Sequence, residues 1–227
     1  MTCDIHTKKI IMKKFIINTI LAIIWYPLLV IGHIPARIAL KIWGWKIEGD
    51  IPKLKKIMMI VTPHREGLKD FLLGLFTSMI KFIPPVRFLA KYEAMHPWWN
   101  PGKILYLFGA IPVDRKHEYT NTKKGDVIGT MIRTFQEESR AIFVIVPEGT
   151  RKEGEEWKRG FYEAAYQADV EVVPVGFDYF NKIVKIGKPI KMTGNIEKDL
   201  ELLKTWYMEN IPGYVPNINI QVFKPRI

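Results

Sequence analysis

The chain has 227 residues, 48% of them hydrophobic and 25% charged, enough for one substantial core and short for two full domains. Its 34 Lys and Arg outnumber 23 Asp and Glu, and the net charge of +11 favours an anionic partner: a lipid surface, a phosphorylated metabolite or a nucleic acid. The single Cys3 rules out an intrachain disulfide and the five scattered His lack metal-ligand spacing, so neither a disulfide scaffold nor a structural or catalytic metal is expected. Without a Gly-x-Gly-x-x-Gly or Walker-type loop, any phosphate recognition falls to Arg, Lys or helix ends.

The first feature along the chain is the uncharged run Phe15 to Gly32, preceded by Lys8, Lys9, Lys13 and Lys14. As a straight helix it reaches about 27 Å, the lower limit for crossing a hydrocarbon core, and Pro27 would kink or end it part way. Signal peptides share the pattern of basic residues before an apolar run, but no small-x-small cleavage site follows. From His33 to Trp45, Ile34, Ile38, Ile42 and Trp45 fall on one helical stripe and His33, Arg37 and Lys41 on another, an amphipathic interfacial pattern. Residues 1–45 are therefore expected to form a membrane-associating helical hairpin dipped into one leaflet, its basic side meeting anionic headgroups; the rival is a soluble helical cap packed on the core.

Residues 46–227 alternate apolar runs of strand length with helical patterns. Ile57 to Val61, Val86 to Ala90, Ala141 to Val146 and Val172 to Val175 read as buried strands, too apolar for a sheet with one wet face. Asp70 to Lys81, Lys123 to Ser139 and Gly160 to Ala168 read as helices, with Val127, Met131 and Phe135 spaced to face the sheet. Further strands are expected at Ile183 to Ile186 and Ile218 to Phe223, around a helix from Ile196 to Glu209. The class is α/β, a mixed, largely parallel central sheet flanked by helices.

Four polar stretches follow the expected strands: Pro63 to Asp70, Ala90 to Pro97, Gly109 to Arg115 and Pro147 to Arg151. Loops leaving the carboxyl ends of strands in an open α/β sheet converge on one rim, where ligands bind. These loops hold one candidate base, His64, with Asp70 as its nearest acidic partner on the helix that follows, together with several cations. No nucleophilic Ser sits in a strained elbow and no reactive Cys is present, so the set suits a general base beside a phosphate clamp better than covalent catalysis.

The order of these blocks resembles the glycerolipid acyltransferases of the lysophosphatidic acid acyltransferase type. Pro63-His64 through Asp70 is similar to that family's His/Asp block, and Gly109-Ala110-Ile111-Pro112-Val113-Asp114-Arg115 to its second. Val146-Pro147-Glu148-Gly149-Thr150-Arg151 resembles the third, the most specific, and Val172-Val173-Pro174-Val175 the fourth. The resemblance runs from about Trp45 to Tyr179, and the N-terminal hairpin looks like that of bacterial members. One departure stands out: the family places four residues between His and Asp, whereas Arg65 to Lys69 make five here. A bulge at Gly67, which can adopt backbone angles closed to other residues, would absorb the extra residue. Phe71-Leu72-Leu73-Gly74 looks like the family's continuation and favours Asp70; Glu66 is the substitute if the bulge does not form.

The resemblance implies that His64, oriented by Asp70, takes the proton of an acceptor hydroxyl as it attacks the thioester of an acyl-CoA or acyl-carrier protein. An imidazole with an ordinary pKa of about 6.5 suits that task. By the same resemblance Arg115 and Arg151 would grip the acceptor phosphate, with Lys91 a third cation, while Glu148, Gly149 and Thr150 would shape the acceptor pocket. Arg115 also has ion-pair partners close by in Asp114 and Glu118. The implied protein is an O-acyltransferase making phosphatidic acid from lysophosphatidic acid at the cytoplasmic face of the cell membrane, monotopic or with a single N-terminal anchor. It would need no cofactor beyond its acyl donor. The alternative is a catalytically altered member that only binds lipid. A nucleic-acid partner rests on charge alone, since no stretch interleaves basic and aromatic residues for stacking.

Overall fold

The computed structural model of the chain describes residues 27, 29–81, 83, 86–91, 105, 108–113, 127–149 and 155–218. The apolar runs become strands of a mixed sheet: β1 (Lys46–Glu48), β2 (Lys56–Thr62), β3 (Val86–Lys91), β4 (Ala110–Val113), β5 (Ala141–Ile145), β6 (Glu171–Asp178), β7 (Ile183–Ile186) and β8 (Ile190–Lys191). Their order across the sheet is β1-β7-β6-β2-β5-β3-β4, with β8 paired to β6. The pairs β2 with β5, β2 with β6, β3 with β5 and β3 with β4 are parallel, while β7 and β8 run antiparallel to β6. Helix α1 covers 29–43, and α2 (Leu68–Ile80), α3 (Val127–Glu137), α4 (Gly160–Gln167) and α5 (Ile196–Asn210) follow.

Period-two alternation between two covered faces explains why β2 is apolar from Ile57 to Val61. Met58 and Ile60 enter a core with Met131 and Phe135 of α3, Phe161 of α4 and Leu203 and Tyr207 of α5. Ile57 and Met59 enter the opposite core with Leu40 of α1 and Leu73 of α2. Helices cover both faces, so a central strand has no wet side to spend polar residues on. Trp157, Phe161 and Tyr162, expected as core contacts, are buried.

Several local expectations change. Ala110 to Val113, read as part of a polar loop, is the edge strand β4, paired in register with Phe88 to Lys91; four residues interrupted by Pro112 were too few to carry a period. The short β1 and β8 escape a sequence reading for the same reason. Trp45 does not share the stripe of Ile34, Ile38 and Ile42. The helix ends at residue 43, Gly44 turns the chain with φ +76°, and Trp45 drops into the core.

The exposed stripe itself is real. Val30, Ile31, Ile34, Ile38 and Ile42 project from a face of α1 about 120° wide, opposite the buried Leu29, Ala36 and Leu40. Among the described residues no helix is long and apolar enough to cross a membrane. The first arm of the expected hairpin, residues 1–26, and the expected strand beyond Ile218 lie outside the described residues.

Candidate active site

Because β2, β5 and β6 are parallel neighbours, their carboxyl ends reach the same edge of the sheet. Three side chains converge there: His64 just after β2, Glu148 just after β5 and Tyr179 just after β6. Thr62, the last residue of β2, points to the same face of the sheet as Met58 and Ile60.

His64 Nδ1 lies 2.8 Å from Asp70 Oδ2, with the imidazole 28% exposed and the carboxylate 2%. The extra residue is absorbed as the glycine permits: Gly67 takes φ 55°, ψ −98° at the start of α2. The Phe71 N–H bonds to Gly67 O at 3.1 Å, and helix α2 begins one residue after the glycine, with Asp70 in its first turn. An acid there is favoured by the helix dipole. Asp70 Oδ2 also accepts the Glu66 N–H at 2.8 Å, and Oδ1 accepts the Tyr179 hydroxyl at 2.5 Å. Glu66 is not the partner of His64, because its own carboxylate pairs with Lys69 at 2.6 Å in solvent.

Burial alone would raise the pKa of Asp70. The hydrogen bonds from His64, Tyr179 and the Glu66 N–H, with the charge of His64, more than offset it and hold the carboxyl below the ordinary aspartate value. An ionised Asp70 facing Nδ1 fixes the proton on that nitrogen and leaves Nε2 as the basic end. Among the described residues Nε2 makes no hydrogen bond, and the ring is open enough to meet a substrate.

Glu148 is buried beneath this pair. Its Oε1 accepts from Thr62 Oγ1 at 2.6 Å and from the Tyr214 hydroxyl at 2.5 Å, while Oε2 accepts the His64 N–H at 3.2 Å. Trp157 Nε1 donates to the Tyr214 oxygen at 3.2 Å, and the Tyr214 ring stands edge-on to Tyr207. Burial, then the charge of Glu148, pushes the Tyr214 phenol far up, so it remains a donor. The carboxylate of Glu148 thus ties the segment after α5 and the end of β2 to the backbone that carries the base. Gly149 has φ +65° and lies against the Lys158 side chain.

Lys91 closes β3 and Val113 closes β4 at the same edge as the His64 loop. The side chain of Lys91, together with Arg115, Thr150 and Arg151, lies outside the described residues. Tyr179 and Tyr214 are the residues a sequence reading does not find. Carrying the fourth expected strand on to its true end at Asp178 would have put Tyr179 on the functional rim. Tyr214 follows α5 in irregular chain and carries no comparable signal.

A segment of 129 residues is 27% identical to the probable 1-acyl-sn-glycerol-3-phosphate acyltransferase of Mycoplasma pneumoniae, covering 53% of this chain and 44% of that relative. The chain therefore aligns with less than half of that protein's length. The Acyltransferase family model matches residues 46–178, which include β1 through β6 and the His64, Asp70 and Glu148 cluster. With more than half of its length matched, the chain belongs to the Acyltransferase family.

Proposed function

We propose that this protein is an O-acyltransferase that moves a fatty acyl group from an acyl thioester to the free hydroxyl of a lysophospholipid, with lysophosphatidic acid as the acceptor. The observation that carries the reading is the His64 Nδ1 to Asp70 Oδ2 contact of 2.8 Å beside an Nε2 that makes no hydrogen bond among the described residues. Nε2 takes the acceptor hydroxyl proton as the oxygen attacks the thioester carbonyl. The carbon–oxygen bond forms, the carbon–sulfur bond breaks, and the imidazolium returns its proton to the departing thiolate. The ionised Asp70 stabilises that imidazolium. Nothing is oxidised or reduced, so the reaction balances without a cofactor, whether the donor is acyl-CoA or acyl-carrier protein.

The acceptor phosphate is held by Arg115 and Arg151, with Lys91 at the end of the neighbouring strand. Gly149 and Thr150 shape the acceptor pocket, and Glu148 contributes from beneath by fixing the His64 backbone. The apolar stripe of α1, with the exposed Arg37 and Lys41 along one margin, lies in an anionic leaflet at the cytoplasmic face and brings the rim to its lipid substrate. In this reading 1–45 is the membrane-associating part and 46–227 the acyltransferase domain. Support comes from the family match, the activity for which the Mycoplasma pneumoniae relative is named, the net charge of +11 and the geometry of the pair. The extra residue before Asp70, the main sign of an altered lipid-binding member, does not separate the pair.

The test is thiol release by the purified full chain in anionic vesicles, across lysophospholipid acceptors and both donor types. Release strongest with lysophosphatidic acid is expected; release no greater than without acceptor, for every acceptor, would overturn the reading.

A further inference from the structure

We propose that Tyr179 is a positioning residue of this site, orienting the Asp70 carboxylate through which His64 is held. The inference rests on the reading of His64 as the base. It extends it to a residue one position beyond the segment that the family model matches.

A buried carboxylate has a soft terminal torsion and can rotate away from its histidine unless both oxygens are fixed. In Asp70 the two oxygens are fixed from different directions. Oδ2 takes the His64 Nδ1–H and the Glu66 N–H, and Oδ1 takes the Tyr179 hydroxyl at 2.5 Å. No other donor to Oδ1 is present among the described residues. Without the phenol that oxygen would be buried and unpaired, and the carboxylate would be free to turn.

The phenol is itself well placed to serve as a fixed point. Its ring stands edge-on to Trp45 at 5.7 Å and to Phe177 at 6.4 Å, and the Arg65 guanidinium carbon lies 6.0 Å from its centre. The hydroxyl oxygen accepts the Arg65 N–H at 3.4 Å and lies 3.4 Å from Pro63 O, so it touches the chain on both sides of His64. Burial, then the hydrogen bond to Asp70, pushes the phenol far above its ordinary pKa, which keeps it a donor at any working pH. The same bond lowers the pKa of Asp70. Tyr179 therefore acts on both the angle and the ionisation of the carboxylate without touching substrate.

The rival role is a strut that only holds the fold, and Tyr179→Phe separates the two because it removes the hydroxyl and keeps the ring contacts. Thiol release is measured on the full chain in detergent. In parallel, the Asp70 carboxyl is titrated by 13C NMR, its signal assigned from Asp70→Asn. Turnover is expected to fall about 10- to 100-fold with KM for both substrates unchanged, as when a partner behind a working histidine is lost. The Asp70 midpoint is expected to move up. Tyr162→Phe is the control: it removes a second buried tyrosine–aspartate bond, to Asp199 Oδ2 at 2.9 Å, where Asp199 also holds the Thr193 N–H just after β8, the strand paired to the amino end of β6, and it should lower stability while leaving turnover intact. The proposal is overturned if Tyr179→Phe leaves the Asp70 midpoint unchanged, or if its losses only mirror those of Tyr162→Phe. Should the wild-type chain transfer no acyl group at all, the proposed function fails, and the Asp70 titration still decides whether Tyr179 holds the carboxylate.

Discussion

Gly67→Ala tests whether one backbone conformation keeps the inserted residue from separating His64 and Asp70. Gly67 sits at φ 55°, ψ −98°, where a Cβ is strained, and its carbonyl accepts the Phe71 N–H at 3.1 Å. Holding an alanine there costs on the order of 1–3 kcal/mol. At about 2–4 °C per kcal/mol for a chain of this size, Tm should fall by roughly 2–12 °C. If the chain relaxes instead, the Glu66 N–H leaves Asp70 Oδ2, now 2.8 Å away, and the first turn of α2 swings Asp70 off the imidazole. Turnover then falls with a smaller loss of Tm. Thermal unfolding by circular dichroism and thiol release on the same preparation read both routes. Gly74→Ala is the control within the same helix: an added Cβ meets nothing within 4 Å there, so a gain of about 0.5–1 kcal/mol is expected. Unchanged Tm and unchanged turnover in Gly67→Ala would mean that the glycine conformation does not hold Asp70 against His64.

Glu148→Ala should cost about 2–4 kcal/mol in urea unfolding, because it strands the Thr62 and Tyr214 hydroxyls and the His64 N–H, although the two hydroxyls can still bond each other. A loss well under about 1 kcal/mol would mean that the carboxylate does not tie these segments together. For pH, the folded pKa of Asp70 lies below its unfolded value of about 3.9. Its contribution to stability is therefore fully present above about pH 5 and is lost as pH falls through the folded pKa. Urea midpoints of wild type and Asp70→Asn should differ by a constant amount above that pH and converge below it; a gap that widens on acidification would reverse the sign. An environment-sensitive fluorophore at position 38, on a Cys3→Ser background, should shift to the blue on anionic vesicles and be quenched by brominated lipid. The same probe at the exposed Lys53 should do neither, and equal responses at the two positions would contradict a membrane-facing α1.

What a sequence reading recovers here follows from how strongly each segment is patterned. Ile57 to Val61 and Val172 to Val175 are apolar enough to mark buried central strands, and Met131 and Phe135 keep helical spacing, so the sheet and its covering helices are legible. Edge strands such as Ala110 to Val113 are short and half-exposed and carry no such imprint. At the site, His64, Asp70 and Glu148 are legible because each stands beside a patterned strand or helix. The Gly67 turn is legible as a requirement, since only an unusual backbone angle reconciles five intervening residues with one hydrogen bond. Tyr179 and Tyr214 are not legible, because their roles depend on 109 and 66 residues of separation closing in space through the sheet order.

The central claim is that His64 is the base of an acyl transfer. Thiol release from acyl-CoA in the presence of lysophosphatidic acid, compared between purified wild type and His64→Ala at matched Tm, tests it most directly. A loss of turnover of about 100- to 10,000-fold with the fold retained is expected. Transfer by His64→Ala at the wild-type rate would contradict it.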